Sequence, residues 1–211
     1  MAEYDTEEEQ VKALKDWWNE NGRSVIAGVV IGVAGLGGWK YWTNYQEQQS
    51  QIASALYSGI RNAIVAQDEP AIIATATELK QNYTSTPYAA HGALLLAKAK
   101  ADKDDNAAVI ENLQWAIDNS KEHSIKAIAQ LRLARVYIED NALDSAEALL
   151  SQEYPLAYQS LLMEVRGDLF VSRGDIPAAR EAYERAIDAA DENSINYLRM
   201  KSDHLGVEEQ S

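Results

Sequence analysis

The side chains that could do chemistry in this chain are carboxylates and histidines, and their spacing decides what chemistry is open to them. There are 33 Asp and Glu and three His, at positions 91, 123 and 204. Paired carboxylates perform acid–base catalysis when their surroundings push their pKa values apart, and a zinc site needs His and carboxylate ligands at short helical spacing. His91, His123 and His204 stand far apart, and none lies in an HExxH motif. There is no GxSxG elbow, no phosphate loop of the GxxxxGK type and no dinucleotide fingerprint. Cysteine is absent, which removes thiolate nucleophiles, disulfides and cysteine-based zinc or iron–sulfur sites together. The carboxylates fall along helical patterns, where they read as solvated faces. The expectation is a protein that is not an enzyme, with no metal and no cofactor.

The charge balance narrows the partners. The formal net charge is −14 over 211 residues, and the part from Thr43 onward carries 15 Lys and Arg against 26 Asp and Glu, a net of −11. Such a surface repels the phosphate backbone, so nucleic acid is excluded as a partner, while a protein partner is compatible with it.

With no reactive constellation to place, the elements themselves become the informative feature. Ser24 to Trp39 is an uncharged apolar run closed by Arg23 and Lys40. Its 16 residues make roughly 24 Å of helix at about 1.5 Å per residue, close to the hydrocarbon thickness of about 30 Å. Lys40 can lift its ammonium to the headgroups, and Tyr41 and Trp42 on one side and Trp17 and Trp18 on the other suit the two interfacial belts. The acidic start with Glu3, Asp5 and Glu7 to Glu9, and the exit through aromatic residues, do not fit a cleaved signal peptide. Lys12, Lys15 and Arg23 outnumber Lys40, so the positive-inside rule puts the N-terminus in the cytoplasm. The division expected is a cytoplasmic amphipathic tail at 1–23, a transmembrane anchor at 24–42 and an extracytoplasmic domain at 43–211. Gly28, Gly32 and Gly35 form a small-residue face on which a second transmembrane helix, from a homodimer or another protein, could approach closely.

Thr6 and Glu9 make a capping box for a short first helix, with Val11, Leu14 and Trp18 on one face and Asn21-Gly22 as its stop. Asn44 to Gln67 reads as a helix with Ile52, Leu56, Ile60 and Ile64 inward, ended by Asp68-Glu69-Pro70, and Ala71 to Tyr83 as a second with Ile72, Ile73, Ala76 and Leu79 inward. Three helix pairs follow: 90–101 with 106–119, 127–139 with 143–152, and 160–173 with 177–190. Aligning Asp104, Asn141 and Gly174 gives steps of 37 and 33 residues, near the 34 of the tetratricopeptide repeat. The third pair matches best, with Gly167 at the helix crossing, Phe170, Ala179, Tyr183 packing back, and Ala186. The second places Glu153, and the first Val109 and Lys100, where the repeat prefers other types. A helix from Ser194, with Ile195, Leu198 and Leu205, would cover the last open face. The fold class expected is therefore all-α, one N-terminal transmembrane helix followed by a tetratricopeptide-repeat-like α-solenoid.

In that register the first helices aim His91, Leu94, Lys98, Leu131, Arg135, Ile138, Leu161, Glu164 and Asp168 toward a concave protein-binding groove. Interhelical packing is the alternative role for the leucines. Charge reversal at Arg135 is expected to weaken partner binding more than folding.

Trp17-Trp18-Asn19-Glu20-Asn21-Gly22 leading into the glycine-rich run, Gly38-Trp39-Lys40-Tyr41-Trp42, Leu131 to Val136, Arg166-Gly167-Asp168 and Gly174-Asp175 together resemble the YfgM family of Gram-negative bacteria. These are ancillary subunits of the SecYEG translocon. The resemblance implies a single-pass inner-membrane protein whose repeat domain is periplasmic, and which associates with SecYEG and with a PpiD-like chaperone to pass newly exported proteins to periplasmic chaperones. An alternative use of the same groove is a structural scaffold for envelope or division protein assembly.

Overall fold

The structure is a computed structural model that describes residues 7–208, and every long regular element among them is helical: α1 Glu7–Val65, α2 Glu69–Asn82, α3 Pro87–Ala101, α4 Asn106–Asn119, α5 His123–Glu139, α6 Leu143–Leu150, α7 Gln159–Ser172, α8 Ile176–Asp188 and α9 Glu192–Glu208. Two units result, 1–49 and 50–211. Thr6 of the expected capping box lies outside the described residues.

The first unit holds most of α1. Asn21-Gly22 does not stop the helix, contrary to expectation. Asn21 donates its side-chain amide to the Trp17 carbonyl at 3.0 Å, and Gly22 stays helical with the Trp18 ring 3.2 Å from where its Cβ would stand. A lone Asn-Gly ends a helix only when the chain beyond prefers to leave, and the apolar run beyond it prefers to continue. Ile26, Val29, Val30, Ile31, Val33 and Leu36 are all exposed. The helix is long and apolar enough to cross a membrane, and almost none of its apolar window is covered by protein. An apolar helix uncovered all round fits a membrane anchor.

The second unit is built on one turn used four times. Gln67, Asp104, Asn141 and Gly174 all have positive φ, at 56°, 57°, 57° and 76°. After each, the next N–H reaches back five residues: Asp68 to the Ala63 carbonyl, Asp105 to Lys100, Ala142 to Tyr137 and Asp175 to Phe170, at 2.9, 3.1, 2.7 and 2.9 Å. That is the Schellman closure, which satisfies carbonyls left open at a helix C-terminus. Asp68, Asp105 and Asp175 then cap the following helix by accepting from Ala71, Ala108 and Ala178 N–H. The end of α1 with α2 is thus a fourth pair, ahead of the three the periodicity reveals.

Small residues set the closeness of the helices. A Cβ on Gly167 would run into the Tyr183 ring, so α7 and α8 cross with backbone against aromatic face. Among the described residues four clusters carry the core: Ile60, Ile72, Leu79 and Leu96; Leu113, Ile125 and Leu133; Leu131, Leu150, Leu162 and Val165; and Ala179, Tyr183 and Leu205. Ile52 is 41% exposed because Ala53 makes the close contact instead, and Ile73 faces out because Ile72, Ala76 and Leu79 form the buried face of α2. Helix α6 ends at Leu150, whose carbonyl accepts from Arg166 at 2.7 Å, so Glu153 lies beyond the helix and needs no small-residue contact. Leu198 and Leu205 of α9 are buried, as expected of a closing helix.

Candidate interaction surface

The repeated turn fixes a register across the first helices of the pairs. Six residues before each left-handed residue stand Arg61, Lys98, Arg135 and Asp168, and one further step of 33 reaches Lys201 on α9. Four residues before those stand Tyr57, Leu94, Leu131, Glu164 and Tyr197. These positions meet across helices. Arg135 Nη2 lies 3.2 Å from Glu164 Oε1, and Lys201 Nζ lies 3.0 Å from that oxygen and 2.6 Å from Asp168 Oδ1. Tyr183 donates its hydroxyl to Asp168 at 2.6 Å, and Lys201 sits 5.5 and 5.3 Å from the Tyr183 and Tyr197 ring centres. At the other end Tyr57 of α1 touches Tyr88 and His91 of α3, with ring centres 5.9 and 5.8 Å apart.

The nine expected groove residues therefore divide. Leu94 and Leu131 are corrected to core residues: both are buried among small alanines and other leucines, with no surface to offer a ligand. Ile138 and Leu161 are half-buried against the same core. His91 is engaged by Tyr57. Arg135, Glu164 and Asp168 are brought together, but with one another and Lys201, in a closed network in which Glu164 is only 7% exposed. Lys98 alone stays fully open. It borders a cavity of about 470 Å³ whose walls include Ile64, Ile72 and Leu95.

Electrostatics at the closed end follows from burial. Burial, the bond to Asp168 and the charges of Asp168 and Glu164 hold the Tyr183 hydroxyl protonated well above its ordinary range. Burial pulls Lys201 downward, but its bonds to Asp168 and Glu164 outweigh that and leave it raised. Two carboxylates one turn apart on α7 would repel, and the ammonium between them removes the conflict. Sequence reading missed Lys201 and Arg61. The signal was present as the 33- and 37-residue steps continued past both ends of the repeat.

In the first unit, nothing lies within 4 Å of a Cβ built on Gly28, Gly32 or Gly35, so that face is open. Among the described residues no three His, Asp or Glu converge as metal ligands.

A family model described as a tetratricopeptide repeat-like domain matches residues 15–207. A protein of Haemophilus influenzae is 34% identical over 205 residues, 97% of this chain and 100% of the relative, and is named an ancillary SecYEG translocon subunit. The chain belongs to that family. Family members of the same name from Escherichia coli and Neisseria gonorrhoeae are 29% and 26% identical over 208 residues each, 98% and 97% of this chain and 100% of each relative. No solved structure matches the chain. The family match begins inside the tail and runs through the anchor into α9, so it covers both units.

Proposed function

We propose that the protein is a membrane-anchored, non-enzymatic adaptor at the Sec translocon that links newly exported proteins to PpiD-like periplasmic chaperones. The observation that carries the reading is the end-to-end match to relatives named ancillary SecYEG translocon subunits, which includes the apolar helix as well as the repeats. Residues 24–42 hold the chain in the inner membrane, residues 1–23 lie in the cytoplasm on the weight of Lys12, Lys15 and Arg23, and residues 43–211 work in the periplasm. Gly28, Gly32 and Gly35 offer a neighbouring transmembrane helix close approach, from the translocon or from a second copy.

Photo-crosslinkers placed along the anchor and on the first helices of the pairs, in native membranes, test this directly. Adducts with translocon subunits from the anchor and with a periplasmic chaperone from the repeats are expected. Adducts with division or envelope-assembly proteins alone would replace the adaptor by a scaffold. Protease added outside spheroplasts is expected to remove 43–211 and spare 1–23; the reverse pattern would overturn the orientation.

A further inference from the structure

The first helices of the first three pairs carry cations that meet no carboxylate among the described residues. Acids exceed bases here by 33 to 19, and of the 15 Lys and Arg from Thr43 onward six meet a carboxylate within 4.0 Å among the described residues, including Lys100 with Glu69 at 2.8 Å, Arg173 with Glu147 at 2.7 Å and Lys201 with Asp168 at 2.6 Å. Among the described residues Arg61, Lys98 and Arg132 have no carboxylate within 4.0 Å. They share a face. Arg61 and Lys98 occupy the register position that Arg135 holds on α5, and Arg132 lies three residues before Arg135 on the same side of that helix. Burial and the charge of Arg135 both press the Arg132 guanidinium downward, so it stands to gain from an incoming anion.

Beside Lys98 opens the cavity of about 470 Å³, with Ile64, Ile72 and Leu95 in its walls and Lys103 and Asp102 also at its edge. Glu69 borders it as well, but its charge is already taken by Lys100. Adjacent helices lie about 8–10 Å apart, and an extended chain turns the same face outward about every 6.6 Å, so carboxylates two or three residues apart can reach successive helices.

We propose that the face of Arg61, Lys98 and Arg132 docks an extended, acidic polypeptide segment, with an apolar side chain of that segment in the cavity beside Lys98. An anionic bilayer fits less well. A membrane surface meets the whole domain, whose net charge from Thr43 is −11, whereas a narrow segment meets only the local cations. The inference deepens the adaptor reading and rests on it for its biological setting, not for its chemistry.

The test uses the full chain in phosphatidylcholine nanodiscs and fluorescence anisotropy of two labelled dodecapeptides, one alternating glutamate with leucine and one with glutamine in place of glutamate. The glutamate peptide is expected to bind, and to bind at least about tenfold more tightly than its glutamine counterpart, since a few partly screened charge contacts together amount to such a factor. Arg61→Glu with Lys98→Glu is expected to abolish that preference without moving the thermal midpoint, because both side chains are exposed and unpaired. Lys121→Glu with Arg180→Glu, the same charge change elsewhere, should keep it. Should the double reversal misfold, Arg132→Gln alone must still weaken the glutamate peptide. Equal binding of the two peptides, equal loss in the control, or binding of phosphatidylglycerol vesicles through Arg61 and Lys98 with no peptide binding would each overturn the proposal. Translocon crosslinking measured in parallel separates the two claims: crosslinks without peptide binding sink this inference alone, and peptide binding without crosslinks sinks the adaptor alone.

Discussion

Gly167 and Arg135 show how differently single residues act within one repeat. Gly167 lets the Tyr183 ring lie against the α7 backbone, and the added methyl of Gly167→Ala has no room because that ring is buried and bonded to Asp168. A loss of about 1–3 kcal/mol is expected from this overpacking, read as a lower denaturation midpoint. Arg135 reads from sequence as a groove residue whose reversal harms binding first. Its guanidinium instead meets the nearly buried Glu164, so Arg135→Glu sets two carboxylates against each other with Lys201 as the remaining counter-charge, and should cost about 1.5–3 kcal/mol of stability. A variant that melts like the parent would return Arg135 to the open face. Buried phenols set an alkaline limit. Tyr154 is pushed up to about 12 by burial, and Tyr183 and Lys201 are raised as well. A group with a raised folded pKa stabilises fully below its unfolded value and loses that contribution as pH climbs through the folded one. Stability should therefore hold to pH 10 and decline between pH 10 and 12 as Tyr154 titrates late. Denaturant midpoints across that range, with tyrosinate absorbance, would check it; a midpoint that rises with pH would contradict it.

At the scale of helices and turns, what the sequence announces depends on whether the turn residue is of a type that favours left-handed backbone. Asp104, Asn141 and Gly174 are such residues, and the three turns aligned on them are real. Gln67 is not, so the identical turn after α1 goes unseen, although Asp68 behind it caps α2 as Asp105 and Asp175 cap their helices. Gln67→Gly should relieve the left-handed strain and, net of the entropy of glycine, raise stability by about 0.5 kcal/mol, measurable by chemical denaturation. The opposite error occurs at Asn21-Gly22, where a good stop signal is overridden by the helix on either side. Burial is misread where small and large residues adjoin. Ile52 and Ile73 look like core by hydrophobicity, yet Ala53 takes the buried place beside the first, and Ile72, Ala76 and Leu79 form a helix face that leaves the second outside. Of the interaction surface, Lys98, Arg135, Glu164 and Asp168 are visible by register alone. What they pair with is not, because a charge on one helix does not name the helix that will cover it.

For the whole second unit, each pair is covered by the next, and α9 closes the series. Removing residues 192–211 would uncover Tyr183 and leave Glu164 and Asp168 without Lys201. The truncated chain is expected to unfold at lower denaturant, with its earliest loss in α7 and α8 by hydrogen exchange; uniform loss along the chain would mean the repeats act as one block. The position of Lys201 also imposes an order in time. Neighbouring pairs meet through short connections, so the earlier helices can pair as the polypeptide is delivered, N-terminal part first. Lys201 belongs to α9, and its bonds to Glu164 and Asp168 cannot form until synthesis has passed that helix. A nascent protein halted before α9 holds Glu164 through Arg135 and Asp168 through Tyr183 only, and α9 then brings the one cation that joins the two carboxylates.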